Sequence, residues 1–286
     1  MESIYAKSAP EWTPLRDHLL HVAVAAQRFA QHLGMNENLA YKGAVLHDIG
    51  KVHPRFQKRL KERDSNGNTL RHEITSLLFL SAFPQEDHPA LIEMVAGHHK
   101  SVRNDAGEKG LLDLENGYDY QDFHIGRWDE WSPRAFNLLN DLGISCEAFD
   151  EETARKNLEQ TIQYCKRKTK ERGFSAWRGL LMGADHFASA SIFDTEKHLS
   201  RAFRIPNLQF YQRSNSLYPL SAKDTSSIKK HTMVVACTGA GKTDFLFKRT
   251  RGRVFYTLPF QASINAMYKR VAKDLQDTNP DLDIRV

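Results

Sequence analysis

Cysteine is scarce. Cys146, Cys165 and Cys237 are the only three in 286 residues, and their spacing fits neither a disulfide framework nor a zinc knuckle. No run of about 18 apolar residues occurs, which argues against a helical membrane span. A secretory leader is missing as well, because the N-terminal stretch carries Lys7, Pro10, Glu11, Trp12, Pro14, Arg16 and Asp17 where such a leader has an apolar core. Together these absences point to a reducing, cytoplasmic setting with no membrane partner. Charge of one sign does not dominate either. Lys plus Arg number 40 against 35 Asp plus Glu, a net +5 that only mildly favours a polyanionic partner through counterion release. With 41% hydrophobic and 26% charged residues the chain reads as globular, long enough for one large domain or two modest ones, and without internal repeats.

Apolar spacing sets the organisation. Leu15, Leu19, Val22, Ala26, Phe29 and Leu33 make one stripe of a helix over 13–33, with Thr13 as cap, Pro14 in the first turn and Gly34 as stop. Further helices are expected over 37–49 (ending at Gly50), 71–83 (stopped by Pro84), 89–97, 133–142, 150–171 and 175–190. The stretch 101–132 has no clean period and reads as a long surface loop or lid. Its Tyr118, Tyr120, Phe123, Trp128 and Trp131 are either stacking faces for bases or aromatics that pack on one another. After Ile205 the texture changes. Residues 206–230 look like a connector, and beyond them Thr232–Ala236, a loop, a helix from Lys242 and Val254–Leu258 read as strand, loop, helix, strand. The predicted fold is therefore mainly α, a helical bundle over 1–205, followed by a truncated α/β segment over 231–286.

The 13 histidines are clustered, and imidazole is the commonest metal ligand. His47 and Asp48 are adjacent at the end of an apolar helix, too few ligands for a divalent ion by themselves. His18 lies at the edge of the first stripe, about 60° from Leu15, whereas His21 points away. His72 opens one helix, His98 and His99 close another, and Asp185 flanks the stripe Trp177, Leu181, Ala184, Ala188 with no Lys or Arg within a turn. Singly, each has a plain structural reading: His18 as a packed or surface histidine, the 98–99 doublet as a helix C-terminus, Asp185 as a cap or an ion-paired residue. As a set they read as one metal site, because an unpaired carboxylate on an apolar face is costly and a bundle core suits convergent ligands. His21, His32, His53, His88, His124, His186, His198 and His231 carry no motif and are taken as surface or packing residues.

The order PLRDHLLHVA (14–23), LHDIGKVHPRFQ (46–57), RHEITS (71–76), AGHHKS (96–101) and GADHFASA (183–190) resembles the HD superfamily of metal-dependent phosphohydrolases. More narrowly it resembles the nuclease domain of the CRISPR-associated nuclease–helicases of type I systems. The resemblance implies that His18, His47, Asp48 and Asp185 hold one divalent ion, that Asp48 with His72, His98 and His99 holds a second, and that Lys51 lies beside the scissile phosphate. Imidazole-rich ligation implies Mn, Fe, Co or Ni rather than Mg. The implied activity is cleavage of single-stranded DNA, with a CRISPR surveillance complex as partner of the intact protein. Two other readings stay open: a phosphohydrolase acting on small nucleotides, and a non-catalytic docking module whose metal is structural.

Residues 236–243 (ACTGAGKT) carry a phosphate-loop pattern in which Ala236 replaces the usual first glycine. Gly239 and Gly241 let backbone amides approach phosphates, Lys242 reaches the terminal phosphates, and Thr243 can ligate Mg. YTLPFQASINAMYKR (256–270) resembles a helicase motif of the same family. No apolar strand ending in an Asp–Glu pair follows Asp244. The expectation is an N-terminal fragment, with the nuclease and only the first edge of a RecA-like lobe. ATP with Mg would then drive the full-length protein but not this piece.

Overall fold

In the computed structural model, the described residues are 3–8, 10–62, 70–99, 118–168, 170–171, 175–190, 195–212, 218–250, 254–280 and 284. Two compact units divide the chain, residues 1–196 and 197–286.

Every regular element among the described residues of the first unit is a helix. Helix α1 (Leu15–Leu33) packs against α2 (Glu37–Leu46) and α9 (Ala176–Ala190), and α5 (His88–Gly97) packs on α2 and α9. Leu15, Leu19, Val22 and Ala26 are fully buried, as the stripe predicts. Leu33 departs from it at 61% exposure, because the last turn of α1 has run past the core. Gly34 ends the helix in the left-handed region (φ 66°) and donates its amide to Ala30 and Gln31 carbonyls. Thr13 does not cap: Pro14 takes the N-cap position without a side-chain bond, and the Leu15 amide is satisfied by Ile4 O at 2.9 Å. The segment before α1 thus folds back on it, with an isolated bridge between Tyr5 and Pro14.

Helix α2 starts on an Asn36 cap, whose Oδ1 accepts the Leu39 amide at 3.0 Å. It stops at Leu46, short of the expected Ile49, and a 3-10 turn (Ile49–Val52) follows His47 and Asp48. The cause is a close approach. A Cβ on Gly50 would lie 2.2 Å from His72 O and 2.6 Å from Ser76 N, so the turn runs directly against α4 (His72–Leu77). Ser76 Oγ accepts the Gly50 amide at 2.9 Å and lies 2.9 Å from His47 O. The helix expected over 71–83 is likewise divided, into α4 and a 3-10 turn at Leu80–Ala82. Helix α3 (Pro54–Glu62) leaves the Gly50 turn and buries none of its residues.

The region read as a lid is partly helix. Residues 101–117 lie outside the described residues; α6 (Tyr118–Ile125) and α7 (Trp128–Asp141) follow. Trp128 and Trp131 are each only 1% exposed, which corrects their reading as base-stacking faces. On α7 they fall on one stripe with Ala135, Phe136 and Leu139, and Phe79 stacks on Trp128 at 5.1 Å between ring centroids. The side chains of Tyr118 and Tyr120 lie outside the described residues. Helix α8 (Glu151–Lys168) packs over α4, α5 and α6. Buried Glu93 on α5 accepts from Tyr164 Oη at 2.8 Å and from Ser175 Oγ, whose oxygen also takes the Arg178 amide at 3.2 Å. These bonds fix the start of α9 and therefore where Asp185 falls.

Helix α10 (Thr195–Ala202) runs across the division between units. In the second unit α11 (Lys242–Arg249) and α12 (Gln261–Leu275) enclose a small core of Tyr211, Phe247 and Leu275. The strands expected at 232–236 and 254–258 do not form among the described residues, so the α/β segment is not observed. A strand is stable only with a hydrogen-bonded neighbour, and neither run has one; Met233 and Val235 are 90% exposed and Phe255 is 84% exposed.

Candidate metal centre

Five segments of the first unit bring seven side chains to one place. His18 comes from α1, His47 and Asp48 from the turn after α2, His72 from the start of α4, His98 and His99 from the end of α5, and Asp185 from α9. All seven were read from the sequence, and Asp48 stands at their centre, with its side chain 3% exposed. Its two oxygens face different partners. Oδ2 lies 3.0 Å from His18 Nε2 and 3.3 Å from His47 Nε2, and Oδ1 lies 3.0 Å from His72 Nε2 and 4.0 Å from His98 Nε2. Asp185 Oδ1 is 3.5 Å from His18 Nε2 and 4.0 Å from His47 Nε2, and His99 Nε2 is 3.0 Å from His72 Nε2. Two donor groups result, His18–His47–Asp185 and His72–His98–His99, on either side of one carboxylate.

These distances suit a divalent ion. With metal–nitrogen and metal–oxygen bonds of about 2.0–2.2 Å, neighbouring donors of an octahedron lie about 3 Å apart and opposite donors about 4.2 Å. Three buried atoms at the centre make no hydrogen bond: His47 Nε2, Asp48 Oδ1 and His98 Nε2. Buried polar atoms without a partner are costly, and a cation satisfies all three. The other nitrogen of each ring is already committed. His47 Nδ1 donates to Ala44 O at 2.6 Å and His98 Nδ1 to Val95 O at 2.7 Å, which fixes the tautomer with the Nε2 lone pair turned inward.

Electrostatics favour the ligating form at His18, Asp48, His98 and His99 and work against it at His47. Burial pushes the His18 imidazole below its ordinary value, against the pull of Asp48. Burial, reinforced by His47, pushes His98 well below, and burial with His72 lowers His99. For Asp48 burial works the other way, yet His47, Lys51 and His72 outweigh it and hold the carboxyl well below the usual range. His47 alone is raised, because Asp48 and Asp185 overcome the effect of its burial. Lys51 Nζ lies 2.6 Å from Asp48 Oδ2 with its side chain 13% exposed, so the ammonium stands directly against the central carboxylate.

Sequence reasoning missed the supports. Ser76 ties the His47–Gly50 turn to α4, with only its small size beside a glycine as a clue. Gln57 makes three bonds: its Oε1 accepts the Tyr5 amide at 3.1 Å, and its Nε2 donates to Tyr5 O at 2.9 Å and to Lys51 O at 2.8 Å. His53 and His124 are packed, as one of the two readings had it, at 3% and 0% exposure.

In the second unit, at the positions read as a phosphate loop, Gly239 (φ 83°) and Gly241 (φ 87°) take left-handed backbone that suits glycine. A Cβ on Gly241 would stand 2.9 Å from Tyr218 Cβ. Helix α11 begins at Lys242, whose Nζ donates to Ala236 O (2.9 Å) and Cys237 O (2.7 Å), and Thr243 follows it.

An HD domain is found over residues 15–129, a stretch that holds every residue of the centre except Asp185. HD domains are metal-dependent phosphohydrolases that bind divalent metals, so a hydrolase is supported. No curated protein and no solved structure matches the chain. No helix of the described residues is long and apolar enough to cross a membrane.

Proposed function

We propose that the first unit is a metal-dependent nuclease that hydrolyses phosphodiester bonds of single-stranded DNA, as in type I CRISPR interference. One observation carries this reading: a single buried carboxylate, Asp48, turns one oxygen to each of two donor groups. That arrangement fits a pair of divalent ions about 3.5–4 Å apart, the spacing used for in-line displacement at phosphorus. Bound there, such ions would polarise the phosphoryl oxygens and lower the pKa of water enough to give hydroxide near neutral pH. His18, His47 and Asp185 would hold one, His72, His98 and His99 the other, and Asp48 both. Donors this rich in imidazole favour Mn, Fe, Co or Ni over Mg.

The chain's own groups have separable tasks. Asp48 stays ionised and sets the spacing of the two donor groups. The carbonyls of Ala44 and Val95 keep His47 and His98 from rotating. Lys51, beside Asp48, offsets charge that develops on the phosphoryl oxygens. In the second unit, Gly239, Gly241, Lys242 and Thr243 are proposed to cradle the phosphates of ATP with Mg, as in the motor of a nuclease–helicase. A CRISPR surveillance complex is its proposed partner and the cytoplasm its proposed location.

The test is metal reconstitution. The stripped chain, given Mn, Co, Ni or Mg singly, is expected to degrade circular single-stranded DNA with a transition metal. Asp48→Ala should abolish cleavage and His21→Ala should retain it; equal cleavage by the Asp48 variant refutes the assignment. Hydrolysis of mononucleotides without cutting DNA would instead mark a small-nucleotide phosphohydrolase. Metal uptake with no hydrolysis would mark a docking module.

A further inference from the structure

Two buried histidines outside the metal centre hold something in place. His53 accepts the Arg55 amide at Nδ1 (3.1 Å), and its ring lies 4.8 Å from that of Trp131. His124 pairs through Nδ1 with Thr75 Oγ1 at 2.7 Å. Burial, with the Arg55 cation added, pushes the His53 pKa down to about 4, and burial with His53 nearby pushes His124 down to about 3. Both rings are therefore neutral packing pieces near pH 7. Each flanks one half of a partly exposed pair: the Arg55 guanidinium lies 4.2 Å from the centroid of the Phe123 ring. Arg55 stands two residues after His53, and Phe123 stands directly before His124. His53 thus anchors the backbone at Arg55, and the His124 ring meets that of Phe123 edge to face at 5.7 Å.

This shelf adjoins the site. The next residue, Phe56, sets its ring against His72 (5.3 Å, edge to face), and Lys51 Nζ lies 5.6 Å from its centroid. Helix α3 continues outward from the shelf with Arg55, Lys58, Arg59 and Lys61 against the single Glu62. Asp122, beside Phe123, is held by Arg155 at 3.0 Å. A planar cation on an aromatic ring offers a flat face to any nucleobase, and a basic helix beside it suits a phosphate backbone.

We infer that the Arg55–Phe123 shelf is a base-stacking subsite for single-stranded DNA, with α3 tracking the phosphates that lead from the metal centre. The inference rests on the nuclease reading for its substrate class, while its test does not require turnover.

The experiment titrates the full chain in EDTA against fluorescein-labelled oligothymidylate, followed by anisotropy. Stacking on aromatics is sequence-tolerant and worth about 1–3 kcal/mol per base. Phe123→Ala should therefore weaken binding about tenfold, Arg55→Lys (which keeps charge but loses the plane) should also weaken it, and Phe123→Trp should restore wild-type affinity or better. A duplex, whose base faces are hidden, should bind more weakly than the single strand. Unchanged affinity in both Phe123→Ala and Arg55→Lys, or a duplex bound as tightly as the single strand, overturns the inference. A parallel assay follows hydrolysis of bis(p-nitrophenyl) phosphate with Mn, where wild type and the three variants should agree. Failure of wild type there removes the nuclease reading and leaves anisotropy to decide the shelf.

Discussion

Substituting Gly50 by alanine tests how the centre is built. The added methyl would meet His72 O at 2.2 Å, Ser76 N at 2.6 Å and Thr75 Cβ at 2.8 Å. Two of those are backbone atoms of α4, which cannot swing aside as a side-chain tip can. Restoring ordinary contact requires the turn and α4 to part by about 1 Å, since non-bonded heavy atoms settle near 3.5 Å. That movement stretches the Gly50 amide bond to Ser76 Oγ (2.9 Å) and draws His72 Nε2 away from Asp48 Oδ1 (3.0 Å). Overpacking costs about 1–3 kcal/mol and a weakened buried hydrogen bond about 1 kcal/mol more, so a loss of about 3 kcal/mol is expected. For a unit of this size that lowers Tm by about 6–12 °C. Scanning calorimetry in EDTA reads the stability, and calorimetric titration with Mn should show at least a tenfold weaker site on the His72–His98–His99 side. Gly179→Ala is the control. It lies inside α9 with nothing within 4 Å of the added carbon, and should leave stability unchanged or raise it by about 0.5–1 kcal/mol. A Gly50→Ala chain that melts within about 2 °C of wild type and binds Mn normally would refute the reasoning.

Other perturbations separate the two halves of the site. Asp185→Asn should remove one of two bound Mn ions, measured by inductively coupled plasma mass spectrometry, and leave the other; loss of both or neither contradicts the division at Asp48. Lys51→Ala should keep metal content while slowing phosphodiester cleavage about a hundredfold, the scale of removing one group that stabilises transition-state charge; undiminished cleavage would exclude the proposed task. In the metal-free chain, His53 and His124 have folded pKa values of about 4 and about 3, below the unfolded value near 6.5. Their contribution is complete above about pH 6.5 and declines as pH falls toward 4, because only the unfolded state takes up their protons there. Urea unfolding midpoints should drop from pH 7 to pH 5, and His124→Gln should flatten that slope by about one proton, or 1.4 kcal/mol per pH unit; an unaltered slope would count against burial as the cause.

The centre was legible because its chemistry is written in residue types that bundles otherwise keep out of their cores. His47, Asp48 and Asp185 are costly where apolar periodicity places them, and the cost points to a cation. Helix positions followed from the same periodicity. Helix ends did not: the turn after α2 runs against the His72 carbonyl at Gly50, a long-range contact with no local signal. Trp128 and Trp131 lay in a stretch without clean period, and only the continuation of α7 back to residue 128 turns them inward. Hydrophobic content made 232–236 and 254–258 look like strands, yet strand formation depends on a neighbour that sequence pattern cannot supply.

Gln57 joins Tyr5 to the Lys51 carbonyl, so the segment ahead of α1 braces the turn that carries this lysine. Exchanging Gln57 for a residue that cannot bridge would loosen that turn from outside the donor groups. Such variants should therefore differ in turnover while binding the same amount of metal.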